Sequence, residues 1–137
     1  MNLRNIPDSE QLWLCIRPIL ESFATRVSAI NPSLMQSVAS YSNDAFFLMA
    51  YLAFRKHNDG DDIAIAANVI LANGQLTVTT DVCYGEGTIL AIGPSVTFTM
   101  ADVKAITANA FNAWLAEFED FLRSKEVDVL RVASELT

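Results

Sequence analysis

The chain has 137 residues and a formal net charge of −7, from 16 acidic and 9 basic side chains. It is 52% hydrophobic, with mean hydropathy +0.29, and residues 1–137 read as a single α+β domain able to bury a core without disulfides or metals. The acidic balance excludes a nucleic-acid binder that tracks phosphates with Lys and Arg, since the densest basic stretch is only Arg55-Lys56-His57.

The same numbers bear on partners and compartment. The apolar content is high for a monomer of this size, which points to self-association, most simply a homodimer. Cys15 and Cys83 are too few and too far apart for a disulfide scaffold or a four-ligand zinc site. They read as free thiols in a reducing cytoplasm. Residues 12–18 are apolar but follow acidic residues and are interrupted by Arg17 and Pro18, a poor secretory signal. The longest uninterrupted apolar run, 45–54, is far short of a membrane span.

The first predicted helix starts near Asp8, an N-cap with Gln11 three residues on in the capping-box position. Leu12, Cys15, Ile16, Ile19, Leu20, Phe23 and Val27 form its apolar stripe. Pro18 lies inside that stripe, so a kink or break is expected there. Asn31 and Pro32 then close this helix and open the next. Residues 32–57 read as further helix in two pieces, divided near Ser40, Ser42, Asn43 and Asp44, giving two or three N-terminal helices in all. The second piece, with Phe46, Phe47, Leu48, Met49, Tyr51, Leu52 and Phe54, is apolar on all sides, which suggests burial on more than one face and a dimer contact.

The loop from His57 to Asp62 is turn-forming, and after it the periodicity changes to two. Ile63, Ile65, Ala67, Val69 and Leu71 alternate on one strand, and Leu76, Val78, Thr80, Val82 and Tyr84 on the next. Asn73-Gly74 between them is the preferred two-residue hairpin turn, because both positions need positive φ. A two-residue loop then sets the register by arithmetic: Leu71 opposite Leu76, Val69 opposite Val78, Ile65 opposite Val82 and Ile63 opposite Tyr84. A one-residue slip would put these apolar sets on opposite faces. Gly85 and Gly87 make a second turn into a short strand over 88–92. After Gly93 and Pro94, Val96, Phe98 and Met100 alternate as a fourth strand or a bent continuation of the third. An antiparallel meander of three to four strands is therefore expected.

Thr99 and Asp102 resemble a capping box before the last helix. Val103, Ile106, Ala110, Phe111, Trp114, Leu115, Phe118, Phe121 and Leu122 form its broad apolar stripe. This long amphipathic helix should cover one face of the sheet. Residues after Ser124 read equally as more helix or as a fold-back.

Few residues carry a chemical signal. His57, Asp59, Asp61 and Asp62 are ligand-type side chains, but they lack EF-hand spacing and a second His or thiolate, so they read as a solvated loop. Cys83 could serve as a nucleophile only with His57 as its base. The Gly85–Gly87 region lacks the strand-to-helix context and Lys of a phosphate loop. No metal or cofactor is expected. The register leaves Ala64, Ala66, Asn68 and Ile70, with Thr77, Thr79, Asp81 and Cys83, on the face away from the apolar set. That face is neither plain core nor plain surface, and Asn68, Thr79, Asp81 and Cys83 are its candidate binding residues.

The functional expectation is a small acidic, bacterial-type protein-interaction module without enzymatic activity. Immunity proteins, antitoxins and secretion chaperones share its gross composition. Its partner is another protein or a second copy, not nucleic acid or membrane. The alternative is a small-molecule-binding protein or enzyme with a pocket between the sheet and the C-terminal helix, where Ala64, Ala66, Ala67, Ala91 and Gly93 leave space.

Overall fold

The computed structural model describes residues 9–43, 47–85, 87–99 and 103–136. Helix α1 spans Ser9–Ile30, followed by β1 (Met35–Asn43), β2 (Phe47–Arg55), β3 (Asp62–Ala72), β4 (Gln75–Tyr84), β5 (Thr88–Ile92) and β6 (Val96–Thr99), and α2 spans Val103–Ser134. The strands form one antiparallel sheet in the order β1-β2-β3-β4-β5, with β6 also on β4. Strand β6 pairs the first half of β4 and β5 the second half. They are thus one edge strand, bent at Gly93 and Pro94.

The expected α+β class and C-terminal helix on an antiparallel sheet stand. The N-terminal count does not: the described residues hold one helix before the sheet, and the meander gains two strands. Residues 35–43 and 47–55, read as helix from sequence, pair as a hairpin from Met35↔Arg55 to Asn43↔Phe47. The dimer contact expected through an all-apolar helix falls with that helix. In β2, Leu48, Ala50, Leu52 and Phe54 are buried beneath the helices, while Met49 and Tyr51 on the other face are half-buried. A strand apolar on both faces loses its alternation and looks like a helix apolar all round. Asn31 and Pro32 do end α1, but into a tight turn, with the Leu34 N–H donating to the Asn31 carbonyl at 3.3 Å. Helix α1 runs through Pro18 without a break. The Asp8 cap and the Thr99–Asp102 capping box lie outside the described residues and side chains.

The hairpin forms in the expected register, with Leu71↔Leu76, Val69↔Val78, Ile65↔Val82 and Ile63↔Tyr84. Asn73 and Gly74 have φ of 54° and 73°, as a type I′ turn requires. The inner face of the sheet takes both helices. From α1, Leu12, Ile16, Leu20, Phe23 and Val27 are buried against it, and from α2, Phe111, Trp114, Phe118 and Leu122. The rings of Phe111, Trp114 and Phe118 stack along α2 at centroid spacings of 5.4 and 5.2 Å. Helix α2 continues past Ser124 and buries Val129 and Ala133 as well.

The bend in the edge strand is pinned from the core side. The Pro94 carbonyl accepts from Thr80 Oγ1 at 2.9 Å and from Trp114 Nε1 at 3.1 Å. This gives two buried donors a partner where unsatisfied they would cost about 1–3 kcal/mol each. Arg26 of α1 reaches Glu126 of α2 at 2.8 Å. Lys56 Nζ donates to the Ser134 carbonyl at 2.6 Å, placing a cation at the negative end of α2. No helix among the described residues is long and apolar enough to cross a membrane.

Candidate functional site

Both helices pack on one face, and among the described residues no element covers the other face of the sheet. Cross-strand partners share a face, so this outer face reads in rows perpendicular to the strands. One row is Ser37, Ala53, Ala64, Cys83 and Ile89; the next is Ala39, Tyr51, Ala66, Asp81 and Ile92; a third is Tyr41, Met49, Asn68 and Thr79. The four sequence-predicted site residues all stand here. Asn68 and Thr79 are direct cross-strand partners. Asp81 and Cys83 are neighbours along β4, and the Cys83 thiol donates to Asp81 Oδ1 at 3.3 Å.

That hydrogen bond decides what Cys83 can do. Its pKa is pushed up from 9.0 to about 11, first by burial, then by the bond to the Asp81 carboxylate and the negative charges of Asp81 and Asp62. A thiol bonded to a carboxylate keeps its proton, and the thiolate is the nucleophile. His57, the base that Cys83 would need, is exposed in the β2–β3 connection, and the thiol's hydrogen bond goes to Asp81. Among the described residues no three His, Cys, Asp or Glu side chains gather in a metal-holding group.

Sequence reasoning missed half of this face, because β1 and β2 were read as helix. Tyr41, Met49, Tyr51 and Ala53 come from those strands, as does Arg55, whose guanidinium meets Asp62 of β3 at 3.1 Å. The signal was present in the alternation of Leu48, Ala50, Leu52 and Phe54, which in register matches Ile63, Ile65, Ala67 and Val69. The edge strand adds Ile89 and Ile92, the latter 77% exposed.

Beneath α2 the helix–sheet interface is filled where it is described, whereas an open hollow of about 300 Å³ lies between α1 and β1, lined by Arg17, Glu21, Thr25, Gln36 and Val38. The methyl-sized space at Gly93 is occupied by Thr80 Oγ1 and the Phe121 ring. A recess of about 40 Å³ lies between Val82, Leu90 and Ala91 and the Lys125, Asp128 and Val129 side of α2, small beside the ~300–1,000 Å³ of ligand pockets. An open hollow of about 150 Å³ lies by Met35, Ser37, Ala53, Arg55 and Asn58 at one corner of the outer face. No protein-family profile, curated protein or solved structure matches this chain.

Proposed function

We propose that this chain is a protein-interaction module without enzymatic activity, and that the outer sheet face is its binding surface. The observation that carries the reading is the uneven placement of charge. The charged side chains described on the outer face are Arg55, Asp62 and Asp81, and the first two neutralise each other. The remaining described charges stand on the helices and loops, among them Glu117, Glu119, Asp120 and Asp128 on α2 and Asp59 and Asp61 in the β2–β3 loop. Depletion of charge with half-exposed Tyr and Met is the composition of an interface core. Large exposed apolar residues on the same face, Met35, Tyr41, Ile70 and Ile92, add to it.

Helix α2 fills the place where the alternative reading needs a ligand pocket, and Cys83 is held in its unreactive form. Both features favour binding over chemistry. The role belongs with the small acidic immunity, antitoxin and chaperone-like proteins on composition. The test is capture of a defined partner by the intact chain. Thr79→Arg, central on the outer face, should lose the partner while Glu117→Lys on the helical layer keeps it. Retention by both variants rejects the outer face as the surface.

A further inference from the structure

On the basis of that reading, we infer that the occupant of the outer face is a second copy of this chain, joined sheet to sheet about a two-fold axis. Size supports this. Five strand positions at ~4.8 Å and strands of nine residues at ~3.4 Å give a face of roughly 700 Å², close to the ~800 Å² per partner of a stable interface. Two such faces stacked ~10 Å apart form a sandwich with a helical layer outside each sheet.

Charge selects the partner. A chain of net charge −7 would draw a basic partner to its acidic surfaces, and these are loops such as Asp59 and Asp61, since the helices carry seven acidic and six basic side chains and nearly balance. The outer face has little to offer such a partner, since Arg55 and Asp62 pair with each other and Asp81 is engaged by the Cys83 thiol. A second copy brings an equally charge-poor face and keeps both charge-rich helical layers outermost. Composition agrees: Ala64, Ala66 and Ala53 leave the middle of the face low, so another sheet can approach closely, while Tyr51 beside them supplies large area at modest entropic cost and the flexible Met49 adapts to the facing surface. The contact is isologous, so every apolar group covered on one copy is covered on the other.

The chain carries its own probe. Cys15 is exposed on α1, in the layer away from the contact, and Cys83 lies on the contacting face. The experiment is alkylation of the unmodified protein by a maleimide across a dilution series, alongside sedimentation equilibrium. The raised pKa slows Cys83 at every concentration, so the readout is concentration dependence and not rate. Sedimentation should give two copies at high concentration. Cys83 alkylation should then slow at least tenfold from dilute to concentrated protein while Cys15 stays constant. Ala66→Arg should return a monomer, and Val127→Arg, on the exposed side of α2, should remain dimeric.

A monomer at every concentration, a dimer in which Cys83 alkylation does not change with concentration, or a dimer that survives Ala66→Arg overturns the inference. If Ala66→Arg does not fold, the footprint of the unmodified chain decides alone. A monomer that still loses a defined partner on Thr79→Arg overturns the second copy and leaves the interaction module standing. A monomer indifferent to that change as well overturns both.

Discussion

A methyl group added at Gly93 and one added at Gly74 meet different obstacles. At Gly93 the obstacle is space: the new carbon would sit 2.8 Å from Phe121 Cε2 and closer still to Thr80 Oγ1. The Thr80 hydroxyl is tied to the Pro94 carbonyl, so it cannot swing aside without losing that bond. Gly93→Ala should therefore cost about 1–3 kcal/mol, the usual range for overpacking, read from urea unfolding. Cys83 offers a second test at this scale. Its pKa is about 11 in the folded chain against 9.0 when unfolded, so between those values the folded state holds a proton the unfolded state has lost. The stabilisation is complete below pH 9 and disappears as pH rises through 11. Cys83→Ala should flatten that alkaline decline relative to the parent, and identical pH–stability curves from 8 to 11 would show that the thiol is not so held.

At the scale of elements the Asn73-Gly74 hairpin was fully legible, because turn chemistry and period-two alternation agree there. Gly74 has φ of 73° and nothing within 4 Å of a Cβ. Gly74→Ala should therefore cost roughly 1–2 kcal/mol through backbone conformation alone, and Asn73→Gly should cost little. Chemical denaturation of the two variants separates these outcomes. The hairpin of β1 and β2 was not legible, for two physical reasons. Strand β2 is central and apolar on both faces, so its alternation is hidden. Strand β1 lies at the edge and mixes Ser37, Ser40 and Ser42 with Val38 and Tyr41, so it shows neither period. Pro32 misled further, since it suits the second position of a turn as well as the first turn of a helix. The candidate site was half visible for the same reason. Asn68, Thr79, Asp81 and Cys83 belong to the legible hairpin, while Tyr41, Met49 and Tyr51 belong to the concealed one.

At the scale of the whole molecule, separation of a charge-rich helical layer from a charge-poor sheet face makes salt the deciding variable. Two bodies of charge −7 repel as they approach, even when the surfaces that touch are neutral. The repulsion is long-ranged and weakens as the Debye length falls, from about 10 Å at 0.1 M salt to about 3 Å at 1 M. The attraction is burial of apolar area, which ordinary chloride salts leave nearly unchanged. Self-association through the sheet face should therefore tighten several-fold from roughly 0.05 to 0.5 M sodium chloride. Sulfate is unsuitable, because it strengthens apolar burial in its own right. Docking of the acidic loops onto a basic partner has the opposite slope, because screening removes the attraction itself. Sedimentation equilibrium at three chloride concentrations separates the two. A dimer that tightens with salt is held by uncharged surface, as the sheet face requires, and one that loosens is held by charges the sheet face does not carry.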